Sequence, residues 1–158
     1  MKVSPRKSVS FSQLCFTLCA LLLAGCQNES HQVSSGQEAV DAMERTIARS
    51  SELPSKILKA EFVEYKDGDG RLGPADYSFY ARLKVAPNDM SKWTAGLSGP
   101  LNSTDYYSEP LDKMVWWIQE PVFKELKLYQ TKKYFSRANG WMALDESNGY
   151  IYVYTFTM

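Results

Sequence analysis

Apolar and polar positions alternate most regularly over 77–85, where Tyr77, Phe79, Ala81, Leu83 and Val85 are interleaved with Ser78, Tyr80, Arg82 and Lys84. That period of two predicts a half-buried β-strand with a polar outer face. Ile57–Tyr65 predicts a preceding strand, paired antiparallel with it across the loop Lys66–Pro74. Val40, Met43 and Ile47 recur at helical spacing and predict an amphipathic helix over about 36–50. Ser35 and Glu38 have the spacing of a capping box at its start, and Asp41 and Arg45 form an i,i+4 pair along it. Pro87-Asn88-Asp89 opens a second, shorter helix to about Leu97, with Met90, Trp93 and Leu97 on one face.

Residues 98–113 read as loop, and the apolar run Met114–Ile118 calls for burial. Leu126–Phe135, Trp141–Glu146 and Tyr150–Phe156 predict three more strands. The last two are joined by Asn148-Gly149, the strongest short hairpin signal, which predicts a two-residue turn pairing Leu144 with Val153. One face of that hairpin carries Met142, Leu144, Ile151 and Val153; the other carries Trp141, Ala143, Tyr152, Tyr154 and Phe156. The aliphatic face belongs on the core. The aromatic face is either a second buried layer or an exposed platform, because tyrosine and tryptophan tolerate both. The fold expected is α+β: a four- to five-stranded antiparallel sheet ending in a C-terminal hairpin, with two helices packed on one face.

The N-terminal pattern differs from all of this. Lys2, Arg6 and Lys7 precede an apolar run, Phe11 to Ala24, that is shorter than the roughly 20 residues a spanning helix needs. A basic start, a short apolar run and small residues after it have the layout of a secretory signal. Leu23-Ala24-Gly25-Cys26 resembles the lipobox of bacterial lipoproteins. The resemblance covers only the first 26 residues and implies that Cys26 is lipidated on its sulfur and becomes the first residue of the mature chain. It divides the chain into a signal peptide (1–25), a lipidated Cys with a flexible polar tether (26–35), and one α+β domain (36–158). Gln27, where an Asp would retain the protein at the inner membrane, implies the outer membrane, facing the periplasm. Acyl chains at about 0.8 kcal/mol per buried methylene supply the anchor without a spanning helix.

The signal changes the charge balance. The whole chain is neutral, but residues 1–25 hold three cations and no acid, so the remainder carries 15 Lys and Arg against 18 Asp and Glu. No basic surplus points to nucleic acid. Cys15 and Cys19 leave with the signal and Cys26 carries lipid, so no disulfide is expected and packing must supply the stability. The only histidine, His31, falls on the expected tether, which leaves no Ser-His or Cys-His pair for the domain. Asp67 and Asp69 sit in a glycine-rich turn, but position twelve of a calcium loop counted from Asp67 is Ser78, and Arg71 is a cation. No metal or cofactor is expected. An enzyme is not expected either, unless distant carboxylates converge as in glycosidases. The expected function is a lipid-anchored, non-catalytic protein-binding module, either an accessory of an envelope assembly or an immunity-type inhibitor. Its candidate contacts are Trp116, Trp117, Trp141, Tyr152, Tyr154 and Phe156. The rival reading is a small apolar-ligand binder in which Trp116, Trp117, Trp141 and Tyr154 line a pocket.

Overall fold

A computed structural model describes residues 30–67, 76–101, 106–137 and 139–157. Residues 1–25, expected to be a signal peptide, and Cys26 and Asp69 lie outside the described residues. The fold is α+β, as expected, but the antiparallel sheet has six strands rather than four or five. They are β1 (Ser30–Ser35), β2 (Lys59–Asp67), β3 (Asp76–Lys84), β4 (Lys127–Tyr129), β5 (Gly140–Asp145) and β6 (Tyr150–Phe156), in the order β1-β2-β3-β6-β5-β4. The helices are α1 (Gln37–Ala48), α2 (Met90–Thr94, entered through a 3-10 turn at Pro87–Asp89), α3 (Glu120–Phe123) and α4 (Lys132–Phe135).

The added strand is β1. Ser30–Ser35 was expected to belong to a free tether, but it pairs with β2, Ser30 opposite Tyr65 and Ser35 opposite Glu61. This edge strand is held by backbone hydrogen bonds, which need no apolar alternation. Its pairing also removes the capping box. Ser35 ends a strand, and Gly36, at φ 78°, makes the one-residue turn into α1 with no side-chain cap. Gln37 rather than Arg45 approaches Asp41, donating to its Oδ1 at 2.7 Å.

Two further expectations are corrected. Leu126–Phe135 is not one strand: β4 stops at Tyr129, the Thr131 hydroxyl donates to the Arg137 carbonyl at 2.6 Å, and α4 follows. The final hairpin pairs Asp145 with Tyr150 and Leu144 with Ile151, leaving a four-residue turn at 146–149. The Asp145 carboxylate closes that turn, accepting from the Ser147 hydroxyl (2.7 Å), the Asn148 backbone (3.1 Å) and the Asn148 amide (2.8 Å). Gly149, not Asn148, takes the positive φ. The register therefore slips by two residues, an even number, so every side chain keeps its expected face.

Each face of the sheet carries a packed apolar layer. Val40, Met43 and Ile47 of α1 join Met90 and Trp93 of α2 and Tyr134 of α4 over Phe62, Ala81, Leu83, Met142 and Val153. On the other face Trp116, Trp117, Ile118 and Phe123 close over Val63, Tyr80, Trp141 and Tyr152. The helices expected on one face are there, and an irregular segment does the same work on the other.

Candidate functional site

The segment 106–126 crosses the second face as a lid of rings. Phe123 and Trp141 centroids lie 4.6 Å apart, Tyr80 and Trp117 5.3 Å, and Tyr80 and Tyr154 4.8 Å. Polar atoms inside this layer find partners, as buried ones must. Trp141 Nε1 donates to the Tyr106 carbonyl (2.7 Å), Trp117 Nε1 to the Ser108 carbonyl (3.0 Å), and the Tyr80 hydroxyl meets that of Ser108 (2.9 Å).

Of the six candidate contacts, Trp116, Trp117, Trp141 and Tyr152 are buried in this layer, while Tyr154 and Phe156 are half-buried at its margin. The four buried residues are thus core, not platform. The space expected between Trp116 and Trp141 is filled by Trp117, whose ring lies 5.7 Å from each.

This layer has a titration consequence. Burial pushes the Tyr80 phenol up to about 12, against a smaller lowering by its bond to Ser108. Tyr65, Tyr107, Tyr134 and Tyr152 are raised too, chiefly by burial. A folded pKa above the unfolded value means that stability is complete below pH ~10 and falls as pH rises toward 12. Tyr80, whose shift is the largest, contributes most to that loss. An alkaline titration followed by circular dichroism is expected to unfold the domain between pH 10 and 12, and Tyr80→Phe to move that midpoint upward.

At the Lys59–Lys84 end of this face the sheet carries a ladder of charges and rings, in which Lys59 is exposed and Arg82, Lys84 and Tyr150 are half-buried. Glu61 on β2 is buried at 8 % exposure, and its carboxylate receives Lys59 Nζ at 2.7 Å and Arg82 Nε and Nη2 at 2.9 Å each. Arg82 also lies 4.9 Å from the centroid of Tyr150, and Lys84 Nζ lies 4.3 Å from it. The register places them: Arg82 opposes both Glu61 and Tyr152, and Lys84 opposes Lys59 and Tyr150. Asp145 pairs with Tyr150 across the hairpin. Burial disfavours the Asp145 charge, yet hydrogen bonds from Ser147 and Asn148 hold its carboxyl below the usual range. Sequence reasoning missed Lys59, Glu61, Arg82, Lys84 and Tyr150 as a group. The polar alternation of β3 was the available signal, but the three strands meet only through their register.

Exposed apolar side chains gather on the lid itself: Tyr106 at 58 %, Leu111 at 72 % and Val115 at 99 %. On the helix side, a cavity of about 410 Å3 opens beneath the C-terminal end of α1. Phe62, Phe79 and Phe135 form its floor, and Arg137, 3.4 Å from Glu64, stands at its wall. Among the described residues, no three His, Cys, Asp or Glu side chains come together as metal ligands. Among the same residues, no helix is long and apolar enough to cross a membrane. No family model, curated protein or solved structure matches the chain.

Proposed function

We propose that this chain is a lipid-anchored, non-catalytic protein-binding module of a bacterial envelope, held by Cys26 in the outer membrane and facing the periplasm. Both versions, an accessory of an envelope assembly and an immunity-type inhibitor, place its working surface on the sheet. The observation that carries the binding part is the half-exposed ladder: Arg82 and Lys84 lie against the half-buried ring of Tyr150, beside the paired Glu61. Tyrosine and arginine are the residues over-represented at protein interfaces and at their energetic centres. Here both are ordered before any partner arrives, which lowers the entropy cost of binding. The lipobox residues carry the anchoring part.

The test is crosslinked capture of the tagged, lipidated protein from its native envelope. One reproducible partner is expected, reduced at least tenfold by the pair Tyr150→Ser and Lys84→Glu and unaffected by Phe156→Ser. Capture unchanged by the ladder pair would contradict the assignment. In the same cells Cys26→Ser is expected to abolish incorporation of labelled palmitate; continued labelling would remove the lipoprotein reading.

A second reading, a small apolar-ligand binder, is supported by the cavity floored with Phe62, Phe79 and Phe135. Mass spectrometry of an organic extract from the purified protein tests it. A stoichiometric small molecule that is lost from a Phe79→Ala variant would favour this reading.

A further inference from the structure

We infer that the turn Leu111–Val115 rests in the surface of the bilayer that holds the anchor, so that the ladder faces away from the membrane. The inference rests on the lipoprotein reading above and follows from where β1 begins. Only three residues, Gln27, Asn28 and Glu29, lie between Cys26 and Ser30, the first residue of β1, so four Cα–Cα steps join the two. Even fully extended they span about 14 Å. The domain therefore cannot stand off on a long tether, and the Ser30 end of the sheet must lie close to the lipid headgroups.

Ser30 pairs with Tyr65. The Tyr65 hydroxyl accepts from the Asp112 backbone N–H and donates to Asp112 Oδ2, each at 3.2 Å. The lid runs from Ser108, above Tyr80 at mid-sheet, out to Asp112, above Tyr65. It returns to Trp117, against Tyr80 and Tyr152. Its outermost turn thus points to the same end of the sheet as the anchor. Leu111 and Val115 are the two most exposed large apolar side chains among the described residues, at 72 % and 99 %. Lys113 between them is exposed and suits lipid phosphate, while the Asp112 carboxylate is turned back onto Tyr65. The buried Pro110, Trp116 and Trp117 on either side hold the turn in place. The ladder lies at the opposite end of β2 and β3, where Lys59 pairs with Lys84. Amphipathic surfaces of this kind add their buried apolar area to that of the acyl chains.

The experiment uses the lipidated protein in phospholipid vesicles. Val115→Cys is labelled with an environment-sensitive fluorophore, the sulfur of Cys26 being blocked by its lipid. Glu146→Cys, on the turn beside the ladder, is labelled as the control. Nitroxide-bearing phospholipids are expected to quench the probe at position 115 at least twofold and to leave that at 146 unchanged. Equal quenching at both positions, or at neither, in protein that floats with the vesicles would overturn the orientation alone. Protein that fails to float would overturn the anchor, and the orientation with it.

Discussion

Gly140→Ala is expected to destabilise the domain by about 4 kcal/mol, a large share of the roughly 5–15 kcal/mol that holds a domain of this kind folded. Gly140 opens β5 at φ 114°, a conformation L side chains resist. A Cβ there would lie 2.0 Å from the Tyr154 carbonyl oxygen and 2.8 Å from Thr155 Cα. Both are backbone atoms of β6, which is paired on each side, so no rotamer change relieves the clash. Gly36→Ala is the matched control. Its φ is 78°, but nothing lies within 4 Å of the added carbon. Its ψ of −154° puts it in a conformation adopted almost only by glycine, so the substitution should cost only that backbone term of about 1–3 kcal/mol. Thermal melts of the two variants separate them: Gly140→Ala should fall by about 15 °C, or fail to fold, and Gly36→Ala by about 5 °C. Equal shifts would mean that β5 and β6 are not paired in this register.

Trp141→Ala should cost about 3–5 kcal/mol, the usual range for deleting a buried large aromatic side chain. Trp141 is 1 % exposed and its ring touches those of Phe123, Trp117 and Tyr154. It also fastens the lid to the sheet through the Tyr106 carbonyl. The loss should therefore be local as well as global, with amide exchange rising across 106–126 more than in β2 and β3. Trp141→Phe retains most of the ring contacts but not the N–H, and should cost about 1–2 kcal/mol. If Trp141→Ala leaves the melting temperature unchanged, the aromatic face is an exposed platform after all.

The parts of the fold legible in the sequence were those that local chemistry dictates. The alternation in β3 and β6 sorts the side chains onto the right two faces even where the register slipped, but the face expected to be the polar outside of β3 is covered, with Tyr80 5 % exposed beneath the lid. What failed depended on groups that a pattern does not weigh. The Asp145 carboxylate draws Ser147 and Asn148 into a four-residue turn, overriding the two-residue turn that Asn148-Gly149 favours. Ser30–Ser35 has no apolar alternation, because an edge strand joined through its backbone needs none. The apolar run Met114–Ile118 is split: Trp116, Trp117 and Ile118 are buried, and Val115 is fully exposed. As for the site, the aromatic residues are the part a sequence displays most loudly, and burial accounts for most of them. Glu61, Arg82 and Tyr150 come together only across three strands, which composition and spacing do not encode.

The most direct measurement is site-specific photocrosslinking in the native envelope, with the reactive amino acid at position 150 in one strain and at position 115 in another. The account predicts a discrete protein adduct from position 150 and none from position 115, where only lipid is within reach. A protein adduct from position 115 with none from position 150 would contradict both the binding surface and the orientation given to it.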